Sequence, residues 1–103
     1  MIEFLKLTFS ITDISAPKIV TSNMNGKIIE KAPSTSMEFI CEATGSPRPL
    51  ITWFRNKKPF IVDGKSGIKL EKNGQRLIFA RLVEKDSGFY ECLIENRGGI
   101  LSR

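Results

Sequence analysis

The side chains able to do thiol chemistry in this 103-residue sequence are Cys41 and Cys92, 51 residues apart. A redox pair wants its thiols close together, as in Cys-x-x-Cys, or a neighbour that lowers the thiol pKa; the sequence offers neither cue. Histidine is absent, which removes the commonest general base and the commonest transition-metal ligand. Two cysteines without histidine make a poor zinc set. Glu84 and Asp86 sit in the polar run Glu84-Lys85-Asp86-Ser87-Gly88 and read as turn residues, not as an acid/base pair. Neither Gly-x-Ser-x-Gly nor a P-loop occurs. The residues therefore point to a chain with no catalytic group, no cofactor and no metal.

Charge chemistry is the next possibility. Lys and Arg number 16 against 11 Asp and Glu, for a formal charge of +5. The basic residues are scattered as Lys57, Lys58, Lys65, Lys69, Lys72, Arg76 and Arg81, and Glu71, Glu84 and Asp86 interrupt them. That is a solvated surface more than a dedicated polyanion site. Aromatic residues are not interleaved with the basic ones as an RNA-recognition motif requires, so nucleic acid is not expected.

Length allows one small domain, and 41% hydrophobic with 26% charged residues is ordinary for a globular chain. No run of about 20 apolar residues exists to insert in a membrane. Glu3 and Lys6 interrupt the mildly apolar start, which is not read as a signal peptide.

The punctuation is that of an all-β chain. Residues 4–12 are β-prone and loosely alternating, and Ser15-Ala16-Pro17 breaks them; Ile19-Val20 begins another extended piece. Lys27–Glu30 reads as a short edge strand. Over 36–44, Met37, Phe39, Cys41 and Ala43 share one face and Glu38, Ile40 and Glu42 the other, the signature of a half-buried strand. Gly45-Ser46-Pro47-Arg48-Pro49 forces a loop, and Ile51–Arg55 follows as a strand. Asn56-Lys57-Lys58-Pro59 is a turn. Ile68–Glu71 and Arg76–Leu82 flank Asn73-Gly74, a strong hairpin signal. Phe89–Glu95 is a strand, Asn96-Arg97-Gly98-Gly99 turns, and a short last strand ends at Arg103. About seven short strands result, without an amphipathic helix of useful length.

One constellation ties these strands together. Cys41 lies on the alternating strand, Trp53 follows 12 residues later on the next, and Asp86-Ser87-Gly88-Phe89-Tyr90-Glu91-Cys92 precedes and enters a late strand. These residues resemble the immunoglobulin superfamily. Cys41-Glu42-Ala43-Thr44-Gly45-Ser46-Pro47-Arg48-Pro49 with Ile51-Thr52-Trp53-Phe54-Arg55-Asn56 is similar to its I-type set, especially to domains of receptor tyrosine kinase ectodomains of the vascular endothelial and fibroblast growth factor type. The resemblance covers roughly residues 17–101. It implies a Greek-key β-sandwich of about seven strands with its last strand cut short, and a structural disulfide between Cys41 and Cys92. It also implies Trp53 packed on that disulfide, Tyr90 in a tyrosine corner with its hydroxyl tied to nearby backbone, and Asp86 holding the turn, with Leu82 and Gly88 completing the signature. The expected core is Phe39, Cys41, Ile51, Trp53, Leu77, Phe79, Leu82, Tyr90, Cys92 and Ile94. Residues 1–14 are read as an extension, the end of a preceding domain and a linker, and 15–103 as the domain proper; the chain is expected to be a piece of a multi-domain protein.

Function follows from the resemblance as expectation: non-catalytic recognition of a protein, whether ligand, co-receptor or a second copy, in an extracellular receptor or adhesion protein of the plasma membrane. A titin-like spacer in the cytosol is the rival, and free thiols would mark it. Alternation puts Phe54, Phe89 and Leu93 outward as a candidate apolar interface. Lys57, Lys58 and Lys65 are a candidate heparan sulfate contact. No Asn-x-Ser/Thr occurs to carry a glycan over either face.

Overall fold

The computed structural model describes residues 14–64 and 67–103. Eight strands form two four-stranded antiparallel sheets. One holds β1 (Ser15–Ser22), β2 (Met37–Ser46), β6 (Arg76–Phe79) and β5 (Ile68–Glu71) in that spatial order. The other holds β4 (Lys58–Pro59), β3 (Leu50–Arg55), β7 (Tyr90–Asn96) and β8 (Gly99–Ser102). The two sheets face each other as a β-sandwich, and the alternation foreseen along β2 turns Phe39 and Cys41 inward opposite Trp53 and Cys92.

The interior is small. Cys41, Trp53, Leu77, Phe79, Cys92 and Ile94 are fully buried, and Phe39, Ile51, Leu82 and Tyr90 pack against them only half-buried. Of these four, Phe39, Leu82 and Tyr90 line a hollow of about 390 Å³ at the Tyr90 end of the sandwich, which accounts for their exposure. Ile51 instead sits beneath the β5–β6 turn, its Cβ next to Gly74. Aromatic edges and faces knit this end: Tyr90 lies 4.9 Å from Phe39 and 5.6 Å from Phe79, ring centre to ring centre.

Local chemistry explains where strands start and stop. Arg76 pairs with Glu71, so the β5–β6 hairpin closes through the four residues 72–75, with positive φ at Lys72, Asn73 and Gly74. β6 ends at Phe79, three residues earlier than the sequence suggests, although the Ala80 and Leu82 N–H groups still donate to the Gly67 and Thr35 carbonyls beyond it. Lys27–Glu30 is not a strand; Asn23 takes over the edge there, donating to the Glu38 carbonyl and accepting from the Ile40 N–H at 2.7 and 2.8 Å. Lys58 and Pro59, expected in a turn, form β4 after positive φ at Asn56 and Lys57 reverses the chain. The last strand pairs with β7 from Asn96 to Leu93, and a reciprocal pair of bonds between Cys92 and Arg103 extends the ladder. Residues 4–12 lie outside the described residues.

Candidate functional site

The disulfide joins the sheets. Cys41 on β2 and Cys92 on β7 are bonded with Cα atoms 6.7 Å apart, and Trp53 is the register partner of Cys92 on β3. Trp53 fills the space beside the disulfide and donates its indole N–H to the Gly74 carbonyl at 2.6 Å, so its one polar atom is satisfied. The Tyr90 hydroxyl donates to the Asp86 carbonyl, as a tyrosine corner should. Burial pushes the phenol's pKa up, an effect that the nearby Arg55 opposes. Asp86 closes a 3₁₀ turn over Glu84–Asp86, its carboxylate accepting from the Val83 N–H at 2.8 Å.

Arg55 was given no role by sequence reasoning, yet it anchors the same turn. Its guanidinium donates to the carbonyls of Lys85 and Ser87, the latter at 2.9 Å. Gly88 leaves room for this packing: a Cβ there would stand 3.0 Å from Arg55 Nε and 3.1 Å from Asn56 Oδ1, so both side chains would have to give way by a few tenths of an ångström. Asn96 is a second unforeseen clamp, donating to Ser15 and Pro47 carbonyls at 2.7 and 3.0 Å while accepting from the Gly98 N–H. Their clamping bonds carry no local signal, since Arg55 acts 30 positions away at Lys85 and Asn96 acts 81 positions away at Ser15.

The outer faces of the two sheets differ in kind. On the β1-β2-β6-β5 sheet, Arg76 bridges Glu42 at 2.7 Å and Glu38 at 3.0 Å, and Lys72 reaches Glu42 at 3.3 Å. Arg76 first, then Lys72, hold the Glu42 carboxyl below its usual range. Lys69 and Glu71 pair beside them on β5. That face is a closed charge network.

The other face mixes apolar side chains with a few polar ones. Register partners share a face in an antiparallel sheet. Leu50, Glu95 and Ile100 therefore form one row, Thr52, Leu93 and Ser102 the next, and Pro59, Phe54 and Glu91 the third. Leu50 and Ile100, which sequence reasoning missed, are 62% and 64% exposed. Phe54 and Leu93 come together around a shallow hollow with Glu91 and Ser102. Phe89 is not part of it. It precedes β7 and stands 78% exposed at the strand's end, its backbone tied to Asn56.

The lysines are placed less favourably for a polyanion. Lys57 is bound to Glu91 at 2.9 Å, Lys58 lies on β4, and Lys65 falls outside the described residues. Among the described residues, no cluster of three or more acidic, Cys or His side chains is arranged to hold a metal ion, and no helix is long and apolar enough to cross a membrane.

Comparison with known proteins bears on what such a face serves. A family model described as immunoglobulin domain matches residues 16–96. The chain is 31% identical over 91 residues to vascular endothelial growth factor receptor 1 of Rattus norvegicus, a match covering 88% of this chain and 6% of the receptor. Among solved structures it is similar to Drosophila OTK extracellular domains 3–5, with a TM-score of 0.75 and 25% identity over 87% of this chain and 30% of that one. It is also similar to titin domain M7, with a TM-score of 0.68 and 30% identity over 86% of this chain and 88% of that one.

Proposed function

The chain belongs to the immunoglobulin domain family, and from that membership we propose that it is a non-catalytic protein-recognition module of a cell-surface receptor or adhesion ectodomain. It meets its partner through the outer face of the β4-β3-β7-β8 sheet, centred on Phe54 and Leu93, flanked by Leu50 and Ile100, with Phe89 at the rim. The observation that carries this reading is the contrast between the two outer faces. One sheet neutralises its surface with bridged charges, whereas the other sets Phe54 and Leu93 half-buried in adjoining rows, with Leu50 and Ile100 exposed in the row beside Leu93. Apolar side chains gathered on a sheet face with a polar surround mark a protein-binding surface. The disulfide supports an oxidising, extracellular setting. The segment before Ser15 is read as the end of a preceding domain, consistent with a chain that spans only a small share of the receptor it matches.

The test presents the chain, fused to a dimeric carrier and secreted, to a panel of recombinant cell-surface ectodomains. Leu93→Glu places a charge at the centre of the apolar rows, and Lys69→Ala alters the opposite face. Binding that Leu93→Glu abolishes and Lys69→Ala leaves intact supports the assignment. Binding lost only on the β5 side moves the site to the charged face. Secreted protein with both thiols free to alkylate would favour a titin-like spacer instead.

A further inference from the structure

Among the described residues the sandwich has four strand edges, and three are blunted. β1 carries Pro17 and Lys18 and two register irregularities against β2. β4 is two residues long and consists of a lysine and a proline. β5 presents Lys69 and Glu71. Each is a recognised device against edge-to-edge pairing. β8, Gly99-Ile100-Leu101-Ser102, has none of them.

Its hydrogen-bonding parity is fixed by the ladder with β7. Cys92 and Arg103 exchange both backbone bonds, and such pairs alternate with non-bonded ones along antiparallel strands. Leu101 and Gly99 therefore face β7, whereas Ile100 and Ser102 turn their N–H and C=O groups outward. The first residues of β1 close off the Gly98–Gly99 end, where a Cβ on Gly98 would meet the Ala16 backbone at 2.8 Å and one on Gly99 the Ala16 side chain at 3.5 Å.

We infer that β8 is a self-association edge that pairs antiparallel with β8 of a second copy. The register is set by what is open. Ile100 faces Ser102 of the second copy and Ser102 faces its Ile100, giving four backbone bonds that avoid the blocked Gly98 end. The twofold axis passes between the two Leu101 residues. Leu101 and its counterpart form the close, non-bonded pair on the inner face. On the outer face the Ile100 and Leu93 rows continue into the second copy. An antiparallel joint of a strand with itself is isologous, so it closes at two and does not propagate. It is a short joint, below the roughly 1,200 Å² of a stable complex, so the association is weak and concentration-dependent. It uses the edge of the sheet and not its face, so Leu93→Glu, which disrupts face binding, leaves the four bonds in place.

The experiment is sedimentation velocity and amide hydrogen exchange on the full 103-residue chain across a dilution series. The expected result is a monomer–dimer equilibrium in which the Ile100 and Ser102 amides exchange more slowly as concentration rises. Ser102→Pro removes an outward donor without touching the β7 ladder, and should weaken dimerisation about tenfold or more with the monomer's melting unchanged. Ile100→Lys, a substitution at an exposed site, should act likewise. A monomer at all concentrations overturns the inference. So does a dimer insensitive to both substitutions, or concentration-independent protection of the two amides, which would mean that another part of the same chain covers the edge.

Discussion

Reducing the disulfide should cost this domain a large share of its stability. Cys41 and Cys92 close a loop 51 residues in sequence separation, and the chain-entropy model gives about 4 kcal/mol for a loop of that length. A domain of this size holds a total of roughly 5–15 kcal/mol, and 4 kcal/mol corresponds to a loss of about 16–32 °C in Tm. The assay is urea unfolding of oxidised and fully reduced protein at equal pH. Trp53, the single tryptophan, reports the transition because it stands beside the disulfide in the core. The Cys41→Ala/Cys92→Ala protein should lose at least as much as reduction does, since it also empties two buried sites. A reduced protein within about 1 kcal/mol of the oxidised one would refute the reasoning. It would mean that the unfolded chain gains little freedom when the cross-link goes, and that the two sheets are held by packing alone.

Three further outcomes follow from the contacts around the core. Arg55→Ala should lower stability by about 2 kcal/mol, because the Lys85 and Ser87 carbonyls lose a charged donor. Arg55→Lys should recover less than half of that, as both bonds come from Nη2 at the far end of the side chain and the shorter lysine stem carries its nitrogen less far; full recovery in a urea titration would argue against the paired geometry. Tyr90→Phe should cost about 1 kcal/mol by removing the bond to Asp86, and an unchanged midpoint would leave the tyrosine corner without an energetic role. Glu42 has a folded pKa below its usual 4.5 because of Arg76 and Lys72, so the stability it contributes is complete above that value. It is lost as pH falls through the lower folded value. Glu42→Gln should therefore flatten the decline in urea midpoint on acidification, and a slope equal to that of the parent protein would contradict the assignment.

The parts of this structure that could be read early are those written in short-range pattern. Alternation placed Cys41 and Phe39 on one face of β2, and the Asp86–Cys92 spacing marked the approach to β7 together with its tyrosine. Asn73-Gly74 marked a hairpin but not its four-residue loop, because the loop's length depends on where β6 re-enters register with β5. What stayed hidden depends on distant partners. Lys27–Glu30 has a β-prone sequence, yet the side chain of Asn23 satisfies the β2 edge in place of a strand. Phe89 alternates correctly with Leu93, but β7 begins only at Tyr90, so the phenylalanine stands beyond the sheet's edge. Leu50 and Ile100 reach the outer face through register across three strands, and single-strand alternation carries no information about that.

The same disulfide has a mechanical meaning. The chain enters the sandwich at Ser15, beside Gly98, and Arg103 lies at the other end of β8, bonded to Cys92. Tension applied between these points shears β8 along β7 and loads their hydrogen bonds side by side. Once they fail, the force reaches Cys92 and passes through the sulfurs to Cys41, bypassing everything between. The 51-residue span between them would add roughly 170 Å of extended chain at about 3.4 Å per residue, and the cross-link withholds all of it. Oxidised, the domain is a short, stiff link that yields only its outer strands. Reduced, it becomes a reservoir of length, so a change of two electrons at its centre resets how far the domain can stretch.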